Sequence, residues 1–161
     1  MLKVNKKSEY ALLVVLHLAR RGPDGMVSVA ELADQEDLPR DLLAKVMQTL
    51  KRAGILDSTK GVTGGYGLAR DAATIDFLDV VRPFEGSVGL TTCVGDDRRA
   101  CRRQGHCRLR DPIDTLNGFL LDHLRGLSMD QFAKMQVEHD CDDTQLVSAD
   151  ALGADGPQAS V

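Results

Sequence analysis

Three cysteines, Cys93, Cys101 and Cys107, lie within fifteen residues of one another in the segment TTCVGDDRRACRRQGHCRLRD. Six arginines and one histidine surround them in that segment. The gaps of seven and five residues match neither the CxxC pairs nor the distant HxxxH pairs of common zinc sites. Three thiolates on a loop suit an iron–sulfur cluster whose fourth ligand comes from elsewhere. The arginines would stabilise a net-negative group at this position.

The same three cysteines also fit a second chemistry. Arginine-rich surroundings favour thiolates, so reversible disulfides could form a redox switch without any cluster. A zinc-stabilised interaction module is a further alternative. No Ser-His-Asp grouping, HExxH motif or phosphate-binding glycine loop occurs, because GVTGGYG lacks the helix that such a loop needs. An enzyme is therefore not predicted.

Charge is distributed unevenly along the 161 residues. The net charge is −4, but residues 138–161 hold six acids and no lysine or arginine. Residues 1–70 hold eleven basic against eight acidic side chains, which leaves a local basic face available. No apolar run of about 18 residues is present, so no membrane span is predicted. The start MLKVNKKSEYALLVVLHLA lacks a cleavage site, and a cytoplasmic protein is expected.

The first part of the chain has the pattern of a helix-turn-helix. Apolar residues recur at helical spacing over residues 9–21, and Ser8 is the expected N-cap. A second helix opens at Ser28 with a capping-box pattern that includes Glu31. A third follows Pro39, which suits the first helical position, and ends at Gly54.

Later segments complete a mainly α, winged helix-turn-helix fold. Residues 55–58 and 66–69 predict a β-hairpin wing with a glycine-rich tip, residues 74–84 a short helix, and residues 111–125 a long C-terminal helix in front of a short helix capped by Ser128. The expected domains are a winged-helix DNA-binding domain over 1–84, a cysteine-rich cluster-binding loop over 85–110, the long C-terminal helix and final short helix over 111–137, and an acidic tail over 138–161 that we expect to be disordered.

The third helix and the wing carry candidate DNA-binding residues: Arg40, Asp41, Lys45, Gln48, Lys60 and Gly61. Arg40 and Lys45 could donate to guanine edges, and Asp41 could accept from cytosine. Lys60 at the wing tip suits a narrow minor groove. The alternatives are that these are ordinary solvated charges, or that the winged helix is a protein-interaction module.

Two longer stretches, KVNKKSEYALLVVLHLA and LLAKVMQTLKRAGILDSTKGVTGGYGLARD, together with the cysteine triad before an amphipathic helix, resemble the Rrf-two family of bacterial transcription regulators. The resemblance covers residues 1 to about 135. It implies a homodimer on double-stranded DNA with a palindromic operator, in which the long helix over residues 111–125 is the dimerisation helix. It also implies an iron–sulfur cluster (2Fe-2S or 4Fe-4S) held by Cys93, Cys101 and Cys107, which controls DNA binding in response to nitric oxide, redox state or iron–sulfur status.

The sequence departs from that family pattern in two places. The first cysteine gap is two residues longer than usual, and Arg110 stands where iron–sulfur-assembly regulators have a histidine ligand. Nitric-oxide-sensing members use an acidic residue near the N-terminus of the partner subunit, and Glu9 matches that position. Glu9 is therefore the expected fourth ligand, with His106 as the second choice. Glu9 could instead interact only with the dipole of its own helix, and Asp111 is expected to cap the dimerisation helix.

Overall fold

The described part of the chain is mainly helical, as predicted. A computed structural model describes residues 4–61, 64–91 and 106–135. Cys93, Cys101 and the acidic tail lie outside these residues. Within them the elements are α1 (Lys6–Arg21), α2 (Val29–Gln35), α3 (Arg40–Arg52), β1 (Leu56–Thr59), β2 (Gly65–Leu68), α4 (Phe77–Glu85), α5 (Arg110–Gly126) and α6 (Met129–Lys134).

Helix α1 begins earlier than the sequence predicted. Asn5 is its N-cap, and the side-chain oxygen accepts the backbone N–H groups of Lys7 and Ser8 at 2.9 and 3.0 Å. The prediction of Ser8 as the cap was wrong, because Ser8 lies inside the first turn and is fully buried. The buried face of α1 is the apolar stripe of Ala11, Val14, Val15 and Leu18.

The helix-turn-helix consists of α2 and α3. The Ser28 hydroxyl accepts the Glu31 N–H at 3.1 Å, as predicted. The Glu31 carboxylate does not reach back to complete a capping box; it accepts from Arg21 at 2.6 Å. The turn between the helices contains Asp37 at φ +50°, a conformation that aspartate tolerates better than most residues. Pro39 is the N-cap of α3, one position before the predicted one.

The wing is a two-stranded antiparallel sheet in which Leu56 pairs with Leu68 and Thr59 with Gly65. Each strand is shifted by one residue from its predicted position. Val27 extends the sheet because its backbone exchanges two hydrogen bonds with Tyr66, at 2.9 and 2.8 Å. Gly65 is required at this crossing, since a Cβ there would lie 2.6 Å from the Val27 carbonyl oxygen.

Helices α4 and α6 close the core on the other side of α1. A 3-10 turn at Ala72–Thr74 precedes α4, which starts at Phe77 and not at the predicted residue 74. Ile75, Leu78 and Val81 are buried, as their spacing predicted. Ser128 caps α6 with a complete capping box, which confirms that prediction. The rings of Phe77 and Phe132 pack edge to face at 5.6 Å between centroids.

Helix α5 packs against α4 and leaves an apolar face uncovered. Its N-cap is Leu109, without a side-chain cap, so the prediction of Asp111 as the cap was wrong. Asn117 is the buried residue of this helix. Leu109, Leu116 and Phe119 are exposed, and we call these three residues the α5 stripe. In the described ranges no helix is long and apolar enough to cross a bilayer.

Candidate nucleic-acid interface and cysteine-loop site

One face of α3 presents polar side chains to solvent. Asp41, Lys45, Gln48 and Arg52 are all exposed and recur at intervals of four, three and four residues, which places them on one side of the helix. Leu43, Val46, Met47 and Leu50 are buried on the opposite side and fix the rotation of α3. We call the four polar residues the α3 face. Arg52 was not among the predicted residues, although the same helical period identifies it.

Arg40 is engaged within the helix-turn-helix. Its Nη2 atom donates to both carboxylate oxygens of Asp34, at 2.7 and 2.9 Å. The hydrogen bond to Asp34 and the charge of that carboxylate raise the pKa of the Arg40 guanidinium. Both side chains are exposed, so water and salt screen the pair. Asp34 therefore engages the Nη2 group of Arg40, and the Nη1 and Nε groups of the guanidinium are not part of this pair.

The end of α3 is connected to the wing. The Lys51 ammonium donates to the Ser58 hydroxyl and lies 3.7 Å from an Asp57 carboxylate oxygen. Lys60 at the wing tip is exposed and has no ion pair among the described residues. Gly61 next to it has φ +135°, which favours glycine. The wing tip therefore offers an exposed cation next to a glycine, where backbone can approach a partner closely.

Cys107 is the predicted thiolate ligand that the structure describes. It is half-buried, carries a free thiol and lies two residues before Leu109, the N-cap of α5. Arg108 and the N-terminal end of α5 supply positive charge next to it. His106 is exposed. An anionic group that binds at Cys107 therefore meets a favourable electrostatic environment.

Glu9 occupies the first turn of α1, with its side chain 44% exposed. Its carboxylate accepts from the Lys6 ammonium at 2.7 Å, and this hydrogen bond raises the pKa of the lysine. Within one chain, no three metal-ligating side chains come together among the described residues. The half-buried Cys107 thiol and the exposed Glu9 carboxylate nevertheless fit the donor chemistry of an iron–sulfur site, because thiolate sulfur and carboxylate oxygen both ligate iron.

The helix-turn-helix, the paired wing and the polar α3 face define a winged-helix protein of the DNA-binding class. The family model Rrf2, described as "Iron-dependent Transcriptional regulator", matches residues 4–135. The chain belongs to the Rrf2 family of transcriptional regulators, as the sequence resemblance indicated.

Two relatives carry different regulator names. The chain is 26% identical to the HTH-type transcriptional regulator IscR of Xenorhabdus nematophila over 89% of its own length and 87% of the relative's. It is 27% identical to the HTH-type transcriptional regulator CymR of Bacillus subtilis, over 76% and 89% of the two chains. The crystal structure of a proposed transcriptional regulator from Listeria innocua superposes with a TM-score of 0.71 at 25% identity, over 91% and 96% of the two chains. These similarities confirm the winged-helix fold.

Proposed function

We propose that this chain is a transcriptional regulator whose affinity for its operator is controlled by an iron–sulfur cluster in the cysteine loop. The observation that carries this proposal is the position of the loop. It leaves the winged-helix domain after α4 and returns at α5, the helix whose apolar stripe is uncovered. A change of ligation in the loop can therefore alter how the DNA-binding domain and α5 are arranged. The family description as iron-dependent regulators supports a metal-based signal.

The regulator acts as a homodimer in this proposal. Leu116 and Phe119 on α5 are 54% and 69% exposed, and Leu109 is the exposed N-cap residue of that helix. Apolar side chains in contact with water are unfavourable, and a second copy of α5 would cover both stripes symmetrically. A two-fold dimer presents two copies of α3 to a palindromic operator.

Each part of the DNA-binding surface has a separate role. Lys45 and Gln48 on the α3 face read base edges in the major groove, and Asp41 accepts from cytosine. Arg40 joins them through the guanidinium N–H groups that Asp34 does not engage. Lys60 and Gly61 at the wing tip approach the minor groove. Arg52, at the end of the same face, supplies a phosphate contact that fixes the register of the helix.

Cys93, Cys101 and Cys107 hold the cluster from one chain, and Glu9 of the partner subunit is the fourth ligand. The cluster, when bound, would supply redox chemistry, and its ligation would change when the signal is present. The carboxylate is the ligand most readily displaced, which suits a sensor. In the described chain the Lys6 ammonium pairs with Oε2 of Glu9 at 2.7 Å, which leaves Oε1 of the carboxylate as the ligand atom.

Anaerobic purification followed by iron and sulfide analysis tests the cluster. We expect iron and sulfide in stoichiometric amounts, with visible charge-transfer absorbance. Glu9→Ala should lower cluster retention under air, and Lys6→Ala is the matched control because it removes the ion pair but keeps the carboxylate. If Glu9 serves only its own helix, both variants retain the cluster like the parent chain, and His106 becomes the first candidate for the fourth ligand.

The alternative regulator is a thiol–disulfide switch on the same cysteines. It predicts protein free of iron whose DNA affinity changes reversibly with oxidant and reductant. Zinc without iron would instead identify a zinc-stabilised interaction module. Either result would contradict the proposal that the cysteines hold an iron–sulfur cluster.

A further inference from the structure

Two buried polar side chains hold the segment that leads into the cysteine loop. Ser8 on α1 and Asn117 on α5 are 0% and 4% exposed, and they are the only buried polar side chains in the described ranges. We call residues 85–90, which run from the last residue of α4 to three residues before Cys93, the stem. Ser8 binds one end of the stem and Asn117 binds the other.

The first end of the stem is bonded to the N-terminal turn of α1. The Ser8 hydroxyl donates to Glu85 Oε1 at 2.6 Å, and the Asn5 backbone N–H donates to the same oxygen at 2.7 Å. The Asn5 side-chain amide donates to the Phe84 carbonyl at 3.1 Å. A carboxylate at this position is also favoured by the N-terminal end of the helix. These contacts fix the turn that carries Glu9 to the start of the stem.

The second end of the stem is bonded to the proposed dimer helix. The backbone N–H of Leu90 donates to Asn117 Oδ1 at 3.0 Å. Cys93 follows Leu90 by three residues in the sequence. Asn117 is buried on α5, whereas Leu116 and Phe119 on the same helix are exposed. The position of the stem is therefore tied to the helix that carries the apolar stripe.

Hydrogen bonds are directional, and they weaken steeply when the donor moves away from its acceptor. A small displacement of the stem therefore breaks one or both contacts, whereas apolar packing would tolerate it. We propose that the Ser8–Glu85 and Asn117–Leu90 hydrogen bonds are positioning contacts that transmit the state of the cysteine loop to α1 and α5. This proposal rests on the proposed function, because it requires that the loop have two states.

The test compares DNA affinity with and without the cluster in stem variants. Asn117→Leu fills the same space but cannot accept from Leu90. Glu85→Leu removes the acceptor at the other end, and Glu85→Gln keeps an acceptor oxygen. The DNA duplexes are selected from a random-sequence pool, one by the cluster-bound parent protein and one by the cluster-free parent protein. The primary readout is the ratio of the two dissociation constants, and the iron content and the hydrogen-exchange rate of the Leu90 amide are measured in parallel.

We expect Asn117→Leu to reduce the affinity ratio about fivefold, the factor for one lost hydrogen bond. Glu85→Leu should reduce it by more, because Glu85 Oε1 accepts from both Ser8 and Asn5. Iron content should stay at the parent value, and Glu85→Gln should retain the parent ratio. Exchange of the Leu90 amide should accelerate in Asn117→Leu alone. Ser128→Ala is the matched control, because it removes a hydroxyl that accepts from Gln131 N–H at 3.2 Å on α6, away from the stem.

A merely structural role gives a different result. It lowers thermal stability and weakens DNA binding equally in both forms, so the ratio stays at the parent value and the proposal is overturned. If Glu85→Leu does not fold, Asn117→Leu decides the test. If Asn117→Leu does not fold, the comparison of Glu85→Leu with Glu85→Gln decides it. If the parent chain itself binds DNA equally with and without the cluster, the proposed function fails, and the coupling role fails with it.

Discussion

Replacing Phe119 by alanine should weaken dimerisation strongly. Phe119 is 69% exposed on the single chain. Full burial of a phenylalanine side chain contributes about 1.5–3 kcal/mol, so burying the exposed part contributes about 1–2 kcal/mol. A two-fold dimer buries two copies, which gives about 2–4 kcal/mol in the free energy of association. At about 1.4 kcal/mol for each factor of ten, the dimer dissociation constant should rise about 30-fold to several hundredfold.

Analytical ultracentrifugation over a dilution series measures this constant directly. Asp114→Ala is the matched control, because Asp114 is exposed on α5 about 140° around the helix from Phe119. The control should keep the parent constant. If Phe119→Ala dimerises like the parent within about twofold, far less than the burial term, then the α5 stripe is not the interface and the symmetric dimer proposed above is wrong.

Three further outcomes follow from the described contacts. Lys45→Met should weaken operator binding by about 1–3 kcal/mol per half-site in fluorescence anisotropy; an equal loss on scrambled DNA would instead make Lys45 a phosphate contact. Leu18→Ala should lower the free energy of unfolding in urea by about 2–5 kcal/mol, since Leu18 is fully buried, and a loss under about 1 kcal/mol would contradict that packing. The hydrogen bond from Arg21 lowers the pKa of the Glu31 carboxyl in the folded chain. The parent should therefore be more stable than Glu31→Gln above about pH 5, and this difference should disappear progressively as the pH falls below the ordinary glutamate pKa of about 4.3. A difference in melting temperature between parent and variant that stays constant from pH 6 to 3 would refute this.

Local sequence signals were sufficient to predict the winged-helix fold. The apolar period of α3 and the glycine at its end determine one buried face and one exposed face, and the structure has both. The start of α1 shows that local signals lack information on contacts with residues distant in the sequence. Asn5 and Ser8 are both good N-cap residues, and the choice depends on Glu85, which binds Ser8 from 77 residues away in the sequence. Strand boundaries shifted for the same reason, because Val27 pairs with Tyr66.

The candidate site likewise contains residues that the sequence could predict and residues that it could not. The α3 face follows from helical spacing, which also would have identified Arg52. The pairing of Arg40 with Asp34 across the turn could not be predicted, because it depends on how α2 and α3 pack. The contacts that anchor the stem, Ser8 with Glu85 and Asn117 with Leu90, follow from no sequence motif and become visible only as part-buried hydrogen bonds. The ligand roles of Cys93 and Cys101 stay predictions, since both lie outside the described residues.

The most direct test of the account is an anaerobic DNA titration. One preparation is divided into cluster-loaded and cluster-free protein, and both are titrated with the same selected duplex at several salt concentrations. The account predicts dissociation constants that differ between the two forms at every salt concentration, with similar salt slopes, because the same cations contact the phosphates. Equal dissociation constants across the series would contradict control of DNA binding by an iron–sulfur cluster.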